Sequence, residues 1–256
     1  MSDLNITDAI FAQATARPDA VAVIDGERTI DYRTLCRGVS RAATQFAQAG
    51  WAPGDLVGIS IGERQADYLV AALALARLGI TQTPLSPAEP GEVLAARMAR
   101  TGVKAIVSDH GLLDGRNVAG MRTDPTWLAG DVDGAAVPDL RAAGGARPWI
   151  VAESSGTTGE PKAIVINHAT EALQRARGAA RFGYCAGERL LSMTGLRFLT
   201  GMKRALWALG EGCALGLPSA RLDYEQLFDW MARHAVSYLS CVPFHLHGML
   251  RVAGNG

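Results

Sequence analysis

The stretch Ser154-Ser155-Gly156-Thr157-Thr158-Gly159-Glu160-Pro161-Lys162 is small, polar and punctuated by glycine, and apolar runs bracket it on both sides. Trp149-Ile150-Val151-Ala152 leads in, and Ala163-Ile164-Val165-Ile166 leads out. Each run is short, rich in β-branched residues and bounded by turn residues, which is the pattern of a strand. The expectation is strand, polar loop, strand. Glycine lets a backbone N–H approach a ligand with no Cβ in the way. Successive inward N–H groups form an anion-binding nest, and the hydroxyls of Ser154, Ser155, Thr157 and Thr158 add donors. Lys162 contributes a compact positive charge suited to phosphate. This chemistry points to a polyphosphate. The same composition also serves an ordinary solvated hairpin connection, and the residues alone leave both readings open. A P-loop is excluded by spacing, because Pro161 stands five residues beyond Gly156 and no Gly-Lys pair occurs anywhere in the chain.

Downstream of the loop, residues 168–181 read as a helix whose Arg175, Arg177 and Arg181 are expected on a solvated face. Strands at 189–193, 213–217 and 237–242 then alternate with helices at 199–209, at 224–234 and from Phe244 onward. Upstream, the region 123–147 is dominated by Gly, Pro and Asp and reads as a long surface loop or subdomain boundary. Before it come a helix at 7–16, a hairpin of 21–24 with 28–30 around Asp25-Gly26-Glu27, and a helix running to Ala49 with Asp31 as its N-cap. The stripe Leu35, Val39, Ala42, Ala43, Phe46 has helical spacing and is read as core-facing. Strands at 56–61, 80–85 and 104–108 alternate with helices at 63–78 and 92–101. Such alternation predicts an α/β fold, layered βαβ units with largely parallel sheets flanked by helices. The parts are 1–122, a connecting 123–147, and 148–256 with the phosphate loop.

Composition narrows the function. The 256 residues carry 25 basic and 25 acidic side chains, so no basic field draws nucleic acid or an anionic membrane. The longest apolar run, residues 68–76, is too short to span a bilayer. Met1-Ser2-Asp3-Leu4-Asn5 lacks the features of a signal peptide, and the four dispersed cysteines form no C-x-x-C pair. A cytoplasmic protein with reduced thiols is the expectation. Asn5-Ile6-Thr7 matches a glycosylation acceptor, which carries no meaning without secretion. His245 and His247 lie two apart with no third ligand nearby in sequence, so no metal ligand is assigned.

The nine-residue stretch, with His168 six residues beyond Lys162, resembles the phosphate-binding signature of the adenylate-forming enzymes. These are the AMP-forming acyl-CoA synthetases, with luciferases and peptide-synthetase adenylation domains as relatives. Thr29-Ile30-Asp31-Tyr32-Arg33-Thr34-Leu35 and the run from Leu75 through Pro87 are similar to two earlier motifs of that family. Two positions depart from the usual pattern: Glu153, where a small or hydroxyl residue is common, and Ala163, where glycine usually follows the lysine. The resemblance implies that Thr157, Thr158 and Lys162 hold phosphate oxygens, while Ser154, Ser155, Gly156 and Gly159 shape the loop. Lys162 is then the catalytic candidate. It also implies ATP with magnesium, a small-molecule carboxylate as substrate, and coenzyme A as cosubstrate. Phe198 occupies the place of an aromatic lining the family's acyl pocket, with a buried core phenylalanine as the alternative. Cys241-Val242-Pro243 resembles a strand bordering the carboxylate. His168 is kept only as a family-matched position at the start of a helix.

Nothing in the sequence matches the family's later motifs: the Tyr-Gly-x-Thr-Glu segment with its magnesium-binding glutamate, the ribose-gripping aspartate, or the C-terminal domain with its lysine. The expectation is the N-terminal portion of an acyl-CoA ligase. The alternative is a non-catalytic nucleotide-binding module that needs a separate partner chain supplying the missing half.

Overall fold

The computed structural model describes residues 4–110, 119–129, 140–142, 144–154, 162–219 and 222–254. In chain order the elements are α1 (Asp8–Ala16), β1 (Val21–Asp25), β2 (Arg28–Asp31), α2 (Tyr32–Gln48), β3 (Leu56–Ser60), α3 (Gln65–Arg77), β4 (Thr81–Pro84), α4 (Gly91–Thr101) and β5 (Ala105–Ser108). They continue with β6 (Gly120–Arg122), β7 (Pro148–Ser154), β8 (Lys162–Asn167), α5 (His168–Phe182), β9 (Arg189–Ser192), α6 (Leu199–Gly210), β10 (Ala214–Leu217), α7 (Tyr224–Arg233), β11 (Tyr238–Ser240) and α8 (Pro243–Ala253). Each element expected from periodicity is present, with ends within about two residues of the expected ones. The chain divides into two compact units, Met1–Asp8 with Cys36–Gln174, and Ala9–Leu35 with Arg175–Gly256.

The first unit is built on a six-stranded sheet in the order β6-β5-β3-β4-β7-β8. Its strands are parallel except β8, which returns antiparallel to β7. The connecting helix α3 is buried from Ala66 to Arg77, consistent with a sequence that is apolar on every side. It stops where Gly79 takes φ +67°, a left-handed conformation suited to glycine. In the turn that enters it, the backbone N–H groups of Gly62, Glu63 and Arg64 all donate to the Asp109 carboxylate, which holds the approach to the helix. The turn-rich stretch after β6 carries a fully buried Trp127. Its indole Nε1 donates to Gln45 Oε1 at 2.6 Å, and the Arg41 guanidinium donates to the carbonyls of Thr126, Trp127 and Ala129. The stretch is thereby held on α2. The expected stripe of α2 is buried at all five positions.

The second unit has a five-stranded sheet in the order β11-β9-β10-β1-β2, parallel apart from the β1/β2 hairpin. Asp31 caps α2 as the sequence suggests, its Oδ1 accepting from Thr34 N at 2.7 Å. From β9 the chain crosses through α6 to β10 on one side, and then through α7 to β11 on the other side. Right-handed connections in opposite directions place α6 and α7 on opposite faces of the sheet. Leu227 and Trp230 of α7 pack on Ile24 and Leu191, and α8 lies beside α7. The Trp230 ring lies where a side chain at position 216 would stand: a Cβ on Gly216 would be 2.8 Å from it. Arg175 departs from the expected solvated face, because it is half-buried and ion-paired with Glu211. Arg177 and Arg181 are exposed as expected.

Helices α5 and α6 meet in this unit at Gly178, where a Cβ would stand 2.2 Å from the Trp207 ring. Alanine there gains about 1 kcal/mol of helix propensity and loses about 1–3 kcal/mol to overpacking. Gly178→Ala is therefore expected to lower the melting temperature, by several degrees. A melting point at or above that of the parent chain contradicts this packing.

Candidate functional site

The β7/β8 hairpin delivers the candidate loop. β7 runs parallel to β4, with Gln82 paired to Ile150, so Ser154 leaves the sheet at the carboxyl edge shared with β3, β4, β5 and β6. Open α/β sheets bind ligands outside that edge. The antiparallel register then sets Ser154 opposite Lys162, with Glu153 opposite Ala163 and Ala152 opposite Ile164. The strand, loop, strand reading therefore holds for the flanks, and the backbone brings the two terminal candidates face to face. Ser155, Gly156, Thr157, Thr158 and Gly159 lie outside the described residues.

The opposite end of the hairpin is anchored by a buried polar hub. Asn167 pairs with Pro148, and its Oδ1 accepts from Thr170 N at 2.7 Å, capping α5. His168 follows, with no solvent exposure, and its Nδ1 accepts the Ile6 backbone N–H at 3.2 Å. That bond assigns the proton of the neutral ring to Nε2, which has no hydrogen-bond partner among the described residues. Burial holds the imidazole down, at about 4, with Arg147 pushing the same way and Asp8 opposing. His168 is thus a neutral acceptor locked in the core, which fits a helix-start role and not that of a base.

Asn5 is the centre of the hub. Its side-chain amide donates to the carbonyls of Ala76 and Ala142, and its Oδ1 accepts from the backbone and the hydroxyl of Thr7. Asp8 accepts from Asn5 N and pairs with Arg77 and Arg141. The backbone closes in tightly: a Cβ on Gly144 would stand 2.4 Å from the Leu4 carbonyl and 2.8 Å from the His168 ring. Asn5 is only 3% exposed, so its amide is committed to the fold. The available sequence signal was the Asn-x-Thr-Asp pattern, which favours such local side-chain to backbone bonds.

A second feature lies within the other unit. β9 and β11 are neighbours, yet the chain leaves β9 for α6 on one face and leaves β11 for α8 on the other face. In open α/β sheets divergence of this kind marks the edge at which ligands bind. Met193 N donates to Ser240 O at 2.8 Å, joining the two strand ends. Beyond β9, Phe198 is 50% exposed, with the Arg197 guanidinium 4.8 Å above its ring. Beyond β11, Val242 and Phe244 are 43% and 77% exposed. Phe198 is therefore not a core residue, and the loop before it lies tight against α6, where a Cβ on Gly201 would stand 2.2 Å from Thr194 O.

Two α/β units, each built on a sheet of mostly parallel strands flanked by helices, make up the fold. The AMP-binding enzyme model matches residues 10–256, and the chain belongs to that family of adenylate-forming proteins. Among curated relatives, a probable non-canonical nonribosomal peptide synthetase, CymA of Salinispora arenicola, is 30% identical over 92% of this chain, which corresponds to 3% of that synthetase. Among solved structures, the nonribosomal peptide synthetase FmoA3 bound to AMPPNP superposes with a TM-score of 0.85 at 23% identity, covering 99% of this chain and 27% of its own. The o-succinylbenzoate CoA synthetase of Bacillus subtilis, in complex with its acyl-adenylate intermediate, gives 0.82 at 19% identity, covering 95% of this chain and 64% of its own. The chain thus spans a small part of the peptide synthetases and about two thirds of that CoA synthetase. Among the described residues no helix is long and apolar enough to cross a membrane.

The buried His168 sets an acid limit on the first unit. The unfolded chain binds this proton near pH 6.5 and the folded chain near 4. Stability is therefore complete above about 6.5 and is lost as pH falls toward 4, by up to about 3 kcal/mol. Urea midpoints measured from pH 7.5 down to 4.5 are expected to fall for the parent chain and to fall less steeply for His168→Gln. Parallel curves for the two proteins contradict the assignment.

Proposed function

We propose that this chain is the phosphate-loop portion of a carboxylate-activating enzyme that uses ATP to form an acyl-adenylate. The observation carrying this reading is the hairpin register, which sets Lys162 opposite Ser154 at the carboxyl edge of the parallel sheet, together with the family match over nearly the whole chain. In the reaction a carboxylate oxygen attacks the α-phosphorus of ATP. The bond to the bridging oxygen breaks, and pyrophosphate leaves with the accumulated negative charge. The work of this chain is electrostatic: the ammonium of Lys162, with donors from Ser154, Ser155, Gly156, Thr157, Thr158 and Gly159, stabilises the polyphosphate as charge builds on it. Magnesium, when bound with the nucleotide, neutralises phosphate charge. Among the described residues no three His, Cys, Asp or Glu side chains gather to hold it, so no residue is assigned to it. In this reading the carboxylate binds beyond the carboxyl ends of β9 and β11, and the acyl group passes on to a thiol. Coenzyme A is one such thiol, and the peptide-synthetase relatives widen the choice beyond it.

A second reading has its own observation. Phe244, Leu246 and Leu250 of α8 are exposed, as is Leu239 on the edge strand β11. An apolar face of this kind supports packing of further polypeptide against it, in which case the chain binds nucleotide but reacts only with a partner.

Calorimetric titration with ATP and magnesium tests the first reading. Lys162→Ala is expected to weaken binding by about tenfold or more, roughly 1.4 kcal/mol, with an unchanged melting curve. Equal affinity in the two proteins removes Lys162 from the site. Binding without carboxylate-dependent ATP–pyrophosphate exchange favours the partner-dependent form, and exchange by the chain alone excludes it.

A further inference from the structure

We propose that Cys185 and Cys213 form a reversible oxidation site, at which a hydroperoxide converts the two thiols into a disulfide.

All four cysteines carry reduced thiols, and the fold brings two of them together. Cys185 is exposed in the turn between α5 and β9, whereas Cys213 is fully buried immediately before β10. The Cys213 thiol donates to the Cys185 carbonyl at 3.0 Å. Covalent geometry then places that sulfur within about 5.5 Å of the Cys185 Cα. Turning the exposed Cys185 side chain, with the backbone in place, carries its own sulfur toward the other.

The backbone around the pair is fixed on both sides. Gly187 N donates to Gly212 O at 3.2 Å and Ala214 N to Glu188 O at 2.8 Å, two bonds that flank Cys213. Glu188 N closes the turn on Cys185 O at 3.3 Å, and Tyr238 on β11 donates its hydroxyl to Gly183 O. Of the other cysteines, Cys36 belongs to the first unit, where it is buried in α2. Cys241 follows the carboxyl end of β11, and so lies at the opposite end of the sheet from Cys185, which precedes the amino end of the parallel strand β9.

Exposure and burial divide the roles. Cys185 meets a dissolved peroxide: its thiolate attacks one oxygen, the O–O bond breaks, and hydroxide leaves to become water with the proton that the thiol gave up. The product is a sulfenic acid on Cys185. Burial pushes the Cys213 thiol up, to about 11, against the bond to the Cys185 backbone, so Cys213 stays protonated and inert toward the peroxide. It acts second. Its sulfur attacks the Cys185 sulfur, the S–O bond breaks, and the departing hydroxide leaves as water with the Cys213 proton. The disulfide ties the turn before β9 to the start of β10 and encloses β9 and α6.

The test treats the full chain with hydrogen peroxide, alkylates it after unfolding and maps its peptides without reduction. The expected product is an intramolecular cross-link between the Cys185 and Cys213 peptides, lighter by two hydrogens than its parts. Two of the four thiols are lost, and dithiothreitol restores both. In Cys213→Ala the sulfenic acid has no thiol to resolve it, and dimedone labelling of Cys185 is expected to rise about threefold or more over the parent chain. Cys185→Ser, at an exposed position, is expected to form no cross-link and to keep the Cys213 thiol alkylatable. Sulfinic or sulfonic acid on Cys185 with Cys213 still alkylated overturns the inference, as does a cross-link through Cys36 or Cys241 or a dimer joined through Cys185. Equal dimedone labelling of the parent chain and Cys213→Ala, or loss of the Cys213 thiol in Cys185→Ser, overturns it as well.

Discussion

A neutral histidine without solvent contact holds the first unit in register. Its Nδ1 accepts the Ile6 N–H, while Asn5 next door ties together the carbonyls of Ala76 and Ala142. One short N-terminal segment thereby joins the end of α3, the approach to β7 and the start of α5. Each of these groups is buried, so each bond lost leaves a polar atom unsatisfied in a place water does not reach. The arrangement has little freedom to drift, and the β7/β8 hairpin inherits that rigidity at its Pro148/Asn167 end.

Rigidity at one end of the hairpin bears on backbone placement at the other. Four paired positions, from Ile150/Ile166 to Glu153/Ala163, lie between the Pro148/Asn167 end and Ser154/Lys162. A strand pair of that length carries the orientation of its base to its tip. The backbone at Lys162 is therefore set by the sheet as a whole. The second unit follows the same logic by different means. There the opposed crossovers of α6 and α7 send the chain to opposite faces of the sheet from neighbouring strands.

Much of this was legible in the residues. Alternating apolar runs and helical stripes announced the α/β order, since burial demands a period of two in one case and 3.6 in the other. Asp31 as a cap and Gly79 as a stop follow from local backbone chemistry that neighbours do not alter. The polar nonapeptide between two strands was readable for the same reason. Trp127 was not, because its surroundings have turn composition and its burial comes from Gln45 and Arg41 on α2, far away in sequence. Arg175 looked like one of three solvated arginines until Glu211 was found beside it. Asn5 and His168 lie 163 positions apart, and no local rule pairs them.

By itself, then, the sequence determined which segments are helices and strands and where a Ser/Thr/Gly-rich stretch sits between two of them. Those properties depend on neighbours within a few residues, whose sterics and hydrogen bonding the chain carries with it. Only the tertiary structure decided that Ser154 pairs with Lys162 at the carboxyl edge, that His168 is a buried acceptor, and that Phe198 is half exposed beyond the end of β9. These are matters of strand order and of contacts between distant segments, and they come into being when the chain closes on itself.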